Sequence, residues 1–200
     1  RQRQMCIRDS IGGLGDLSFN DLAYSGYEKA IADFGMEGTF LEPDGGGENR
    51  GELLELCAEA GNDLIIGNGF LFDASMNEVA PNYPDLNFAI TDGVAEPANV
   101  RGMLFDHAEG SFLAGVAAAL KSTNNHVGFL GGVDFPLIHE FEQGFIAGVQ
   151  AINPDIVIEI GYASVAPDFS GFNDVVKGKE IALAQYEAGA DAVSYTHLRA

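Results

Sequence analysis

Alternating strand-like and helix-like runs predict an α/β protein, with parallel sheets covered by helices on both faces. Three observations support that fold class. Short continuous apolar runs, such as Leu64-Ile65-Ile66, read as strands buried on both sides. Between them lie segments whose apolar residues return at helical spacing. The strand-like runs end in short loops rich in Gly, Asp and Asn, the chemistry of strand-to-helix turns.

The elements follow in order. Gly12 to Asn20 reads as a Gly-rich turn opening onto a helix from Asp21 to Phe34, where Leu22, Tyr24, Tyr27, Ala30, Ile31 and Phe34 form one face and Gly35 is the stop. Glu37 to Leu41 is a short strand, and Asn49 to Ala60 a helix ended by Gly61. Asp63 to Gly67 is a buried strand, followed by a helix from about Phe72 to Tyr83. Asn87 to Ile90 and Val100 to Phe105 are further strands, and Glu109 to Leu120 is an apolar helix in which Gly115 permits close packing. A second series begins with the strand His126 to Leu130, then a helix from Leu137 to Ala151. The strand Ile156 to Ile160 and a helix from about Asp174 to Ala188 complete it. No sequence repeat or low-complexity linker interrupts the alternation.

Both ends differ in composition from the acidic body. Residues 1–10 and 194–200 lack its periodicity and resemble translated sequencing-adaptor sequence, so they are expected to be non-native tails outside the fold. On that reading the strand expected ahead of the first Gly-rich turn is absent, and Ala192-Val193 is a strand cut short. The body carries Cys57 alone, read as a small core residue with no disulfide partner.

The formal charge of −20, from 30 acidic and 10 basic residues, repels nucleic acid and anionic membrane and argues against both as partners. No apolar run reaches the roughly 18 residues a membrane span needs. His107, His126 and His139 form no two-His helical pair or Cys-rich knuckle, so no metal site is expected. There is no nucleophile elbow and no Walker lysine, and Ser111 has no base in its neighbourhood. Asp106 and Glu109 are spaced as an acid–base pair, a weaker reading than solvated carboxylates. Binding without catalysis and without a cofactor is therefore expected.

In parallel sheets, ligands bind beyond the carboxyl ends of the strands. The loops there are Gly12 to Asn20, Gly67-Asn68-Gly69-Phe70, Thr91-Asp92-Gly93, Asp106 to Gly110 and Gly131 to Asp134. In the first, glycine lets backbone approach a ligand and the helix-start N–H groups can receive its oxygens. Asp16 and Asn20 offer hydrogen bonds and Phe19 a flat face; the alternative is a plain loop with Ser18 as N-cap and Phe19 in the core. Gly13 to Ser18 is also a near miss to the dinucleotide fingerprint, with Glu42 as a distant ribose acid, which keeps a Rossmann-type enzyme as an alternative.

Taken in order, several motifs resemble one family. They are Gly12 to Asn20, Gly67-Asn68-Gly69-Phe70, Glu109 to Gly115, Gly128-Phe129-Leu130-Gly131-Gly132, Phe141 to Val149 and Lys177 to Ala182. The ordered set, spanning nearly all of Ile11 to Val193, is similar to the basic membrane protein family of extracytoplasmic substrate-binding lipoproteins, whose better-understood members resemble purine nucleoside receptors of ABC importers. The resemblance implies a type I periplasmic-binding-protein fold: a first lobe over 11–123 and an incomplete second lobe over 124–193, closing on ligand between them. It implies that Phe19 stacks on a purine, that a second aromatic corresponds to Phe172, and that Asp16 and Asn20 are polar partners. Asn68 lies in a matching strand-end loop, and Asp106 is the implied ribose partner. The implied partners are a purine nucleoside and ABC permease subunits, with a lipid anchor outside the cell membrane; a sensor domain of the same fold is a further alternative.

Overall fold

The computed structural model describes residues 4–8, 13–44 and 47–196. The chain forms two compact units, residues 1–105 and 106–200.

The first unit is an open parallel sheet. Its strands are β1 (Gln4–Arg8), β2 (Glu37–Leu41), β3 (Leu64–Gly67), β4 (Asn87–Thr91) and β5 (Val100–Met103), in the order β2-β1-β3-β4-β5. Alternate residues serve opposite faces, as the two-residue repeat of a strand requires. Cys6, Ile65, Phe88 and Ile90 join one apolar cluster with Leu54 and Cys57 of helix α2 (Arg50–Glu59) and Met76 and Val79 of helix α3 (Asp73–Val79). Met5, Ile7, Leu64 and Ile66 pack instead with Tyr24, Tyr27 and Ile31 of helix α1 (Phe19–Phe34). Helices therefore cover both faces.

Strand β1 corrects the reading of the first ten residues as lying outside the fold. Met5, Cys6 and Ile7 are buried, and β1 pairs with β2 on one side and β3 on the other. This short apolar run fills the strand position that the Gly-rich turn called for. Cys6 is disulfide-bonded to Cys57, so Cys57 is a core residue with a partner after all.

The second unit contains β6 (His126–Asp134), β7 (Val157–Val165) and β8 (Ala192–Thr196), all parallel and in the order β7-β6-β8. Residues 194–196 thus continue β8 rather than standing outside the fold. Helices α4 (His107–Lys121) and α5 (Pro136–Ile152) pack with one face around Val127, Phe129, Ile138, Phe145 and Val149. On the other face, Gln185 of helix α6 (Val175–Ala188) donates to the Phe129 carbonyl at 3.0 Å. The expected lobe boundary near Thr123 moves to Phe105 and Asp106, because α4 belongs with α5. Their backbones touch: a Cβ on Gly148 would lie 2.0 Å from the Phe112 carbonyl oxygen, and one on Gly115 2.1 Å from that of Phe145.

Strand β6 also runs four residues beyond its expected end. Gly131 to Asp134, read as a loop, is strand, because side-chain-free positions let Tyr162 and Ile138 close over Gly131. The order β7-β6-β8 repeats the order β2-β1-β3 of the first sheet, a likeness absent from the residue pattern. No helix among the described residues is long and apolar enough to cross a membrane.

Candidate functional site

In the first unit the loops after β1, β3 and β4 emerge at one edge, because the strands run parallel. They bring Asp16, Asn20, Asn68 and Thr91 into one hydrogen-bonded assembly, with Phe19 at the head of α1 between the first two in the chain.

The loop after β1 is organised by its own carboxylates. The Asp16 carboxylate accepts the backbone N–H groups of Ser18 at 2.9 Å, Asn20 at 2.9 Å and Asp21 at 3.1 Å. Asp21 reaches back to accept those of Gly15 and Leu17, both at 2.8 Å. Glu42, just beyond β2, accepts that of Leu14 at 2.7 Å. Ser18 holds the N-cap position but makes no side-chain cap bond; Asp16 supplies it, where an anion also complements the helix dipole. Leu17 is held at φ +53°, with its side chain 93% exposed.

This arrangement decides the dinucleotide reading. A pyrophosphate cradle needs open backbone N–H groups at the helix start. Here they are taken by three carboxylates, which also place negative charge where a phosphate would sit.

Beneath it lie two buried amides. Asn20 donates from Nδ2 to the Gly13 carbonyl at 3.1 Å, and its Oδ1 receives Asn68 Nδ2 at 3.5 Å. Asn68 Oδ1 accepts the Thr91 hydroxyl at 3.0 Å, and Thr91 Oγ1 accepts the Gly69 N–H at 2.6 Å. Asn20 and Asn68 are 1% and 3% exposed, so their side chains bind the loops to one another. Thr91, expected as the first residue of the loop Thr91-Asp92-Gly93, is the last residue of β4 and joins the assembly through its hydroxyl. Phe19, the first residue of α1, is half-buried.

In the second unit, Asp106 caps α4, accepting the Glu109 N–H at 3.4 Å. His107 Nδ1 lies 3.0 Å from Glu140 Oε2, and its ring meets that of Phe141 at 4.6 Å. Phe172 sits in the loop between β7 and α6, half-buried and packed against the unit's apolar cluster. Near it Tyr162 donates to Glu142, and His139 Nε2 lies 2.8 Å from Asp134 Oδ1. Burial and the adjoining Glu142 carboxylate push the Tyr162 hydroxyl far above its ordinary range. No group of His, Cys, Asp and Glu among the described residues is arranged to hold a metal ion.

Two α/β units with parallel sheets and polar strand-end loops define a class of ligand-binding proteins, the periplasmic-binding-protein type I fold. A solute-binding protein of an ABC transporter system from Aeropyrum pernix K1 superposes with a TM-score of 0.84 at 28% identity, over 98% of this chain and 55% of that one. The model of the family described as ABC transporter substrate-binding protein, PnrA-like, matches residues 9–197, and the chain belongs to this family. Among its relatives, the ABC transporter nucleoside-binding protein BmpA of Lactococcus lactis is 33% identical over 189 residues, 90% of this chain and 51% of that protein. Basic membrane protein A of Borreliella burgdorferi is 32% identical over 188 residues, 92% of this chain and 53% of that protein. The chain thus spans about half the length of the relatives it matches. The family is one of substrate-binding proteins and not of enzymes, as the missing nucleophile and base predicted.

Proposed function

We propose that the whole protein of which this chain is part binds a purine nucleoside for an ABC importer, outside the cytoplasm and held by a lipid anchor. The observation that carries the reading is the loop assembly of the first unit: Asp16, Asn20, Asn68 and Thr91 are joined by hydrogen bonds, and the half-buried Phe19 stands at the head of α1 between Asp16 and Asn20 in the chain. A ring so placed offers a face to a planar base, and base–aromatic stacks contribute about 1–3 kcal/mol each. Asp16 suits a ribose hydroxyl, since an ionised acceptor makes the stronger hydrogen bond. Asn20 and Asn68 act by positioning the loops that carry them. From the second unit, Phe172 is assigned a second stack and Asp106 a further hydroxyl partner. Membership of the family and the name of the Lactococcus lactis relative support this reading.

The test is calorimetry on the full-length protein with inosine, guanosine and adenosine, beside their 5′-phosphates and NAD. The nucleosides should bind, and the phosphorylated ligands far more weakly. Phe19→Ala should weaken nucleoside binding about ten- to a hundredfold, the loss of one stack, with little change in melting temperature. Unchanged affinity in the folded variant would overturn the assignment.

A further inference from the structure

Three phenylalanines form a continuous ring contact at the strand ends of the second unit. Phe135 immediately follows β6, and Phe169 and Phe172 lie in the loop after β7. The Phe135 and Phe169 rings meet edge to face, 5.6 Å between centroids at 79°. Those of Phe169 and Phe172 are offset and near-parallel, 6.3 Å apart at 12°. All three are half-buried. Both geometries are favoured by the aromatic quadrupole.

The loop that carries two of these rings is fixed to the sheet. Ser164 of β7 donates its hydroxyl to the Asp168 carbonyl at 2.6 Å and accepts the Gly171 N–H at 3.2 Å. The Asp168 carboxylate accepts the Ser170 N–H at 2.9 Å. A Cβ on Gly171 would stand 2.0 Å from the Gly132 carbonyl oxygen, so this backbone rests directly on β6. The anchor holds the backbone at Gly171 and leaves the plane of the next side chain to be set by its neighbours.

We infer that Phe169, braced edge-on by Phe135, is a positioning residue that sets the ring plane of Phe172 for stacking on a planar ligand. This rests on the proposal that Phe172 stacks on the base. Phe172 packs against the unit's apolar cluster, and a half-buried ring held on that side alone keeps some freedom to turn about its side-chain torsions. A near-parallel neighbour limits that turning, and a pre-set ring loses less freedom when the ligand arrives. Phe169 acts through Phe172 and needs no ligand contact of its own.

The test is a double-mutant cycle on the full-length protein, with inosine as the probe. Phe172→Ala should weaken binding about ten- to a hundredfold. Phe169→Leu, which keeps apolar bulk but removes the ring, should weaken it about three- to tenfold, and Phe169→Tyr should restore it. In the double variant Phe169→Leu/Phe172→Ala the loss should equal that of Phe172→Ala alone, because Phe169 has nothing left to position. A general structural role would instead give additive losses and would overturn the inference, as would unchanged affinity in Phe169→Leu. Ring-proton NMR of ligand-free protein supplies a readout independent of binding. Replacing Phe169 by Leu should shift the Phe172 ring signals, and unmoved signals overturn the ladder even if inosine never binds. If the ring signals respond but wild type fails to bind inosine, the nucleoside proposal fails and the ring arrangement stands.

Discussion

Asp16 accepts the backbone N–H of Asn20 at 2.9 Å, and Asn20 in turn meets the amide of Asn68, 48 positions further along the chain. One half-buried carboxylate thereby fixes the start of α1, and α1 fixes the loop after β3. Asp16→Ala should cost about 1 kcal/mol as a lost cap. Asp16→Asn should cost less, because one amide oxygen can still accept from Ser18 and Asp21. Melting temperatures of the two variants against wild type check the ranking.

The two amides should behave as a unit. Asn68→Ala removes the acceptor of the Thr91 hydroxyl and the bond to the Asn20 side chain, an expected loss of about 1–3 kcal/mol. Adding Asn20→Ala should cost less than that variant does alone, because the shared bond is already gone. Urea unfolding of the single and double variants measures the coupling.

The seam between α4 and α5 gives a paired prediction. Gly148→Ala drives a methyl into the Phe112 carbonyl 2.0 Å away, so the helices must part, at about 1–3 kcal/mol. Gly110→Ala, on α4 with nothing within 4 Å, should be neutral or stabilising by up to about 1 kcal/mol through helix propensity. Opposite shifts in melting temperature are expected.

Asp191 makes stability depend on acid. The Ser122 hydroxyl, the backbone N–H and hydroxyl of Thr123 and the Asn124 N–H hold its carboxyl well below the ordinary value of 3.8. The folded state therefore binds this proton less readily than the unfolded one, and the stabilisation is present at neutral pH. It fades as pH falls below about 3.8, where the unfolded carboxyl is protonated first. Asp191→Asn should be less stable than wild type at pH 7, and the gap should narrow on acidification. Unfolding curves from pH 7 to pH 2 test this.

Much of this fold was legible because periodicity survives where side chains alternate. Glu37 to Leu41 is a strand with the expected bounds, and α5 and α6 lie within a residue or two of theirs. Periodicity failed at Gly131 and Gly132, because glycine carries no sign of which face it serves. It failed again at Met5-Cys6-Ile7, where five residues of central strand are too few to outweigh a foreign composition. The family resemblance holds, and the residues it named in the first unit gather at one edge of the sheet. What the sequence could not reveal is that Asp16, Asp21 and Glu42 turn inward to the backbone of their own loop, since one carboxylate reads like another until the chain closes around it.

Strand β8 pairs with β6 along one edge, and among the described residues no strand lies along the other. Its residues, Ala-Val-Ser-Tyr-Thr, are uncharged and suited to extended backbone. Such an edge is a template on which a second chain can add a strand. The surface charge of −20 opposes that approach, and it does so over a reach that salt controls, from about 8 Å at physiological ionic strength to about 3 Å at 1 M. The acidity of this chain therefore sets its self-repulsion, and its dispersal in solution is a property to be tuned by electrolyte.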